Sequence, residues 1–221
     1  CNDTIERDFN CFLNRLDPVR QNIFYMLYEQ NWLDRGYVSF NMEVRKLPPD
    51  KTAKQIFNDN HQRYLTSYNH LKSGLDSIVP YRNFDEQVNF CTLTSQSKFS
   101  IVAETFFDRP DIKTYTEKTI RVLQVARPFL LFAATGVINK LRQRGFDVFD
   151  DIVDHKYYDN EQDPVSRLNK IHTVLDSLST QNLNGIFQQT LTRRTNNIAK
   201  FINGDFSTRY RDQLKQCINT L

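Results

Sequence analysis

Glu117 and Lys118, within Tyr115-Thr116-Glu117-Lys118-Thr119, set a carboxylate beside an ammonium in the middle of this chain. A carboxylate accepts hydrogen bonds only, so it can take both hydroxyls of a ribose. An ammonium, together with the free amides at a helix N-terminus, can take a diphosphate. The pair lies between two apolar runs, Phe99-Ser100-Ile101-Val102-Ala103 and Pro128-Phe129-Leu130-Leu131-Phe132-Ala133-Ala134. A helix opening between two buried strands is where an α/β sheet meets a nucleotide.

The elements that must position this pair are legible in the hydrophobic pattern. Phe9-Asn10-Cys11-Phe12-Leu13 reads as a short strand. Pro18 opens a helical stripe of Val19, Ile23, Phe24, Leu27 and Tyr28, which Gly36 is expected to close before a strand at Tyr37-Val38-Ser39-Phe40. The turn Leu47-Pro48-Pro49-Asp50 precedes a polar helical stretch over 52–75, and 81–94 reads as loop with a short strand. From Phe99 the alternation resumes: strand 99–103, helix 117–126, strand 128–134, and a helix over 137–144 stopped by Gly145. Helices are expected over 167–178, 183–201 and 209–221. Strands that are apolar without alternation fit a sheet covered on both faces. The prediction is an α/β, Rossmann-like, mostly parallel sheet flanked by helices, spanning 1–166 with a helical insertion at 51–94. A C-terminal helical segment over 167–221 packs on it.

Composition narrows the partners. The 221 residues are 39% apolar and 25% charged, an ordinary soluble balance with enough chain to bury a core. No run approaches the ~20 apolar residues of a membrane span. A net charge of +3 is too small to argue for nucleic acid by itself. Cys1, Cys11, Cys91 and Cys217 are scattered without C-x-x-C spacing, which suggests free thiols in a reducing compartment such as the cytoplasm. His61, His70, His155 and His172 form no H-x-x-x-H pair. Arg193, Arg194, Arg209, Arg211 and Lys215 make the last helices basic, which reads as a solvated face. A chain that starts at Cys1 is expected to be a fragment or a processed product.

The order of elements carries a resemblance. Phe99-Ser100-Ile101-Val102-Ala103-Glu104-Thr105, then Tyr115-Thr116-Glu117-Lys118, then Arg127-Pro128-Phe129-Leu130-Leu131 appear in sequence. Leu141-Arg142-Gln143-Arg144-Gly145-Phe146-Asp147-Val148-Phe149 and an acidic, tyrosine-bearing stretch over 154–159 follow. This succession resembles the nucleotide-binding half of GT-B-type glycosyltransferases, in particular fucosyltransferase-like enzymes and their phage- or virus-encoded relatives. The opening Phe12-Leu13-Asn14-Arg15 is similar to the first strand and basic loop of that family.

The resemblance implies a role for each candidate. Glu117 would accept the ribose hydroxyls, and Lys118 and Arg15 would neutralise the diphosphate. Thr116 would cap its helix and leave neighbouring amides facing phosphate. Glu104 would face the donor sugar, with Arg20 a weaker phosphate ligand. Fixed cations stabilise the charge that grows on a leaving nucleoside diphosphate, so neither metal nor other cofactor is expected. The sequence assigns no general base, and the catalytic residue stays unknown; Asp17 and Glu104 are only guesses for it. Only one sheet is evident, so the acceptor-binding half would either lie elsewhere or be reduced to the insertion and the terminal helices, and the acceptor could be a glycan, a protein or a DNA base. A host-cytoplasmic location follows if the source is viral. Two alternatives stand beside this one: a non-catalytic nucleotide- or phosphate-binding or virion structural module, and a phage DNA-modifying glycosyltransferase gripping phosphates through the basic helices.

Overall fold

The structure is a computed structural model, and it describes residues 5–13, 17–40 and 86–204. Among them are four strands, β1 (Arg7–Leu13), β2 (Gly36–Phe40), β3 (Ser97–Ala103) and β4 (Phe129–Phe132). They form one sheet in the order β2-β1-β3-β4, every neighbouring pair parallel. The helices are α1 (Pro18–Glu29), α2 (Glu86–Ser95), α3 (Glu117–Val125), α4 (Val137–Gln143), α5 (His155–Asp159), α6 (Pro164–Ser179), α7 (Leu183–Gln189) and α8 (Leu191–Asn203). The expected α/β, Rossmann-like architecture is what the chain forms.

Burial explains the unbroken apolar strands. Val38, Cys11, Ile101 and Leu130 are register partners across all four strands, and each is buried. They meet Ile23 and Leu27 of α1 and Ile171 and Leu175 of α6. On the opposite face Val102, Phe129 and Leu131 meet Ile120 and Leu123 of α3, Leu141 of α4 and Phe201 of α8. Each such side chain stabilises the fold by about 1.5–3 kcal/mol, so β4 and the end of β3, Ile101–Ala103, are apolar on both sides. Asn10 is the polar intrusion in β1. Its amide is satisfied by the Phe99 carbonyl (3.2 Å) and the Ser100 hydroxyl (2.9 Å).

The outer edge of β4 is closed by side chains. The Ser100 and Glu104 amides bond the Pro128 and Phe132 carbonyls, which turns Phe129 and Leu131 outward. There His155 Nε2 donates to the Phe129 carbonyl at 3.0 Å, and the Leu131 amide donates to the Tyr158 hydroxyl at 3.3 Å. Helix α5 thus satisfies an edge that would otherwise invite another strand.

Several boundaries differ from the sequence reading. The helix from Pro18 ends at Glu29, seven residues before Gly36. Asn31 takes φ 56°, the Trp32 amide returns to the Leu27 carbonyl, and a 3-10 turn over Leu33–Arg35 leads into β2. Part of the expected loop at 81–94 is helical, as α2. The expected single helix over 183–201 breaks at Thr190, whose hydroxyl donates to the Ile186 and Phe187 carbonyls. The polar helix at 52–75 and the last helix at 209–221 lie outside the described residues.

Candidate functional site

Strand order reverses between β1 and β3: the chain runs from β1 to β2 on one side, then returns to β3 on the other. Ligands of open parallel sheets bind beyond the strand C-termini at such a point. Arg15 follows β1 there but lies outside the described residues. The N-terminus of α1, the residue after β3 and the start of α3 are all described.

Asp17 caps α1, its carboxylate accepting from the Arg20 amide at 3.0 Å, with Pro18 set in the first turn. The same carboxylate pairs with the Arg20 guanidinium. That guanidinium crosses the switch point and donates to the Ala103 carbonyl (3.0 Å) and the Glu104 carbonyl (3.5 Å). Arg20 is buried at 2% exposure. Arg20, the weaker phosphate candidate of the sequence, is thus placed inside the fold, where it ties α1 to the end of β3.

Glu104, expected to face the donor sugar, is also engaged inside the fold. Its residue is 2% exposed, and the carboxylate turns toward the start of α3 rather than toward a sugar. One oxygen accepts from the Thr116 amide (3.0 Å), the Thr119 amide (3.3 Å) and the Thr119 hydroxyl (2.5 Å). The other accepts from the Thr116 hydroxyl at 2.7 Å. Burying an unpaired carboxylate is expensive; four donors and the positive end of the helix dipole compensate it. Two of the amides expected to receive phosphate, those of Thr116 and Thr119, are held by this internal anion. Thr116 is the N-cap foreseen, with its hydroxyl facing Lys118 N at 3.5 Å, yet it too is engaged by Glu104.

The intervening loop delivers this geometry. Phe107 is buried in the core, and Arg167 of α6 donates to its carbonyl while stacking 4.5 Å over its ring. Lys140 of α4 holds the Lys113 carbonyl at 3.0 Å. With both ends fixed, the loop returns Thr116 to within reach of Glu104.

Glu117 and Lys118 stand on this base and point outward. The Glu117 side chain is 54% exposed and that of Lys118 is 20% exposed, with 2.8 Å between carboxylate and ammonium. Lys118 Nζ also lies 3.3 Å from the Thr116 hydroxyl. Partial burial pulls the Glu117 carboxyl up, but the hydrogen bond and charge of Lys118 more than offset it and hold the group below the usual carboxylate range. An ionised acceptor stands at the helix start beside an ammonium, the two groups a ribose phosphate calls for.

Comparison with known proteins adds no relative. No protein family matches the chain, and neither does any curated protein or solved structure. The geometry has to stand on its own. Among the described residues no three His, Cys, Asp or Glu side chains gather as metal ligands, and no helix is long and apolar enough to cross a membrane.

The structure joins Asp17, Arg20, Glu104, Thr116, Glu117 and Lys118 in one chain of hydrogen bonds, the longest link being that from Arg20 to the Glu104 carbonyl at 3.5 Å. Sequence reasoning missed Thr119, whose signal was its place three residues after an N-cap threonine. It also missed Asp159, which holds the start of α4 through the Ile138 (3.0 Å) and Asn139 (2.8 Å) amides.

Proposed function

We propose that this chain binds a nucleoside-diphosphate sugar and acts as the donor-binding half of a glycosyltransferase. The observation that carries the reading is the charged Glu117–Lys118 pair, its carboxylate half-exposed and its ammonium partly covered, at a helix start beside the switch point of a parallel sheet. Glu117 accepts the ribose hydroxyls, and Lys118 meets the diphosphate as its negative charge grows during departure. The acceptor, whether glycan, protein or DNA base, is held by another part of the enzyme. A second reading, a nucleotide-binding module without turnover, draws support from Asp17 and Glu104. Both carboxylates considered as bases are bonded inside the fold.

Calorimetric titration with UDP, GDP and their sugar conjugates tests the proposal. Saturable binding to wild type should weaken by about 1–3 kcal/mol in Glu117→Ala, the cost of losing a charged hydrogen-bond partner. No binding by wild type to any of these compounds would overturn it. Turnover of the bound donor, assayed as sugar release to water, separates the enzyme from the binding module.

A further inference from the structure

We infer that Glu104 is the positioning residue of this site: its carboxylate fixes the first turn of α3 and thereby sets where Glu117 and Lys118 stand. The functional half of this inference rests on the reading of Glu117 and Lys118 as donor ligands; the structural half rests on geometry alone.

The bonds of Glu104 are distributed in a way that ordinary capping does not need. An N-cap residue supplies its own side chain to one amide of the first turn, and Thr116 already does this for Lys118. Glu104 adds an anion from a different element, the residue directly after β3, and grips two residues that bracket the pair. Thr116 is held before it and Thr119 after it, each through amide and hydroxyl. With both flanks bound to one rigid carboxylate, the backbone of Glu117 and Lys118 has little freedom left. The carboxylate is itself anchored, because the Glu104 amide donates to the Phe132 carbonyl of β4 at 2.8 Å and its carbonyl faces Arg20. Position therefore passes from the sheet, through Glu104, to the two outward side chains.

The Thr116 hydroxyl extends the path. It donates to Glu104 and lies 3.3 Å from Lys118 Nζ, which in turn bonds Glu117. Removing the Glu104 charge frees the Thr116 hydroxyl to rotate and loosens the ammonium that keeps Glu117 ionised. The same carboxylate occupies the Thr116 and Thr119 amides, which leaves a bound diphosphate the side-chain cations and the two amides between them.

The test compares Glu104→Gln with Asp159→Asn, which weakens the equivalent carboxylate at the start of α4 without touching Glu117. Carboxyl carbon NMR reads the Glu117 titration, and amide hydrogen exchange reads Thr116 and Thr119. The inference expects Glu104→Gln to move the Glu117 midpoint upward, against the small downward push that loss of a neighbouring negative charge gives alone, and to speed exchange at least tenfold at both threonines, with Asp159→Asn leaving all three unchanged; a downward shift overturns it. Should Glu104→Gln fail to fold, Thr119→Val removes the 2.5 Å bond alone and is expected to move the same midpoint by a smaller amount. An unmoved Glu117 midpoint in whichever of the two folds overturns the inference, as does an equal shift in Asp159→Asn. Where wild type binds a nucleotide, Glu104→Gln should weaken it about tenfold and Asp159→Asn should not. Absence of nucleotide binding would sink the proposed function, while the Glu117 titration still decides the positioning role.

Discussion

The starts of α3 and α4 are built alike and end differently. Each helix follows a strand at the same edge of the sheet, and each has its first amides held by a buried carboxylate from another element. For α3 it is Glu104, twelve residues before Thr116; for α4 it is Asp159, about twenty residues after the amides it takes. Both acids are 2% exposed. The α4 start is then sealed. Asp159 also accepts from the Gly136 amide and the Thr135 hydroxyl through its carbonyl, and Val137 and Ile138 are buried. Behind it Arg142 grips Asp150 in two bonds, 2.7 and 2.8 Å, and Asp150 faces His155. The α3 start carries Glu117 and Lys118 outward instead. A helix N-terminus on a parallel sheet is not in itself an anion seat; what counts is the charge left over once the protein's own carboxylates have taken the amides.

The largest effect should come from opening the sealed start. Asp159→Ala strands the buried Ile138 amide and the part-buried Asn139 amide on a seven-residue helix too short to stand alone. We expect it to destabilise the fold by about 3 kcal/mol, a fall in Tm of roughly 6–12 °C, read by circular dichroism. Its nucleotide affinity should match wild type at a temperature where both are folded. An affinity loss there would erase the distinction between the two helix starts.

Acid should attack the same sealed region next. The 3.0 Å contact to the Phe129 carbonyl places the proton of His155 on Nε2 and leaves Nδ1 at 3.6 Å from Asp150. Burial pushes the imidazole below its ordinary value despite the pull of Asp150. A histidine depressed in the fold stays neutral while the unfolded chain takes up a proton, so its contribution is complete above about pH 6.5 and is lost as pH falls below it. Stability should drop by up to about 1.4 kcal/mol for each pH unit crossed in that window. Burial raises the Asp150 carboxyl, but the facing His155 ring and the two bonds and charge of Arg142 hold it far below the carboxylate range. A second loss therefore starts below about pH 4. Urea denaturation between pH 7.5 and 4.5 checks the first window, and His155→Gln should flatten it. An unchanged slope in that variant would place the acid sensitivity elsewhere.

The difference between the two starts was only half legible in the sequence. Runs 99–103 and 128–134 declared themselves because both faces of β3 and β4 are covered, and a doubly buried strand has no polar alternate positions. Thr116 announced the start of α3 as an N-cap, and Pro18 that of α1. The partners of those starts were hidden. Glu104 reads in the sequence as an acid after a strand, and only the return of an anchored loop reveals that it faces α3. Asp159 sits at the end of a five-residue helix without an amphipathic period, and Thr190 breaks a helix without glycine or proline. Arg20 looked available because its partners, the carbonyls of Ala103 and Glu104, are more than eighty residues away.

At the open start, removing the outward charge should barely touch the fold. The Glu117 side chain is more than half exposed and its ion pair with Lys118 is near the surface, where such pairs contribute little. Glu117→Ala is expected to change stability by no more than about 0.5 kcal/mol. A loss comparable to that of Asp159→Ala would make Glu117 a structural residue and remove the contrast between the helices.

The finest probe keeps Glu117 and removes its partner. In Lys118→Met the aliphatic stem survives and the ammonium does not, so the hydrogen bond and charge holding the Glu117 carboxyl down are gone while its partial burial remains. The folded midpoint should then rise toward or above the ordinary carboxylate value. The sign for stability follows from the same shift. A carboxyl depressed in the fold contributes above its unfolded value near pH 4.5 and loses that contribution as pH falls through the folded value. Lys118→Met should therefore be slightly less stable than wild type at pH 7 and converge with it in acid, where wild type loses the same contribution. Carboxyl NMR reads the midpoint and paired denaturation curves at pH 7 and pH 3 read the convergence. If the Glu117 midpoint stays where it is, the helix start and not Lys118 keeps it ionised, and the outward pair is two independent charges on one scaffold.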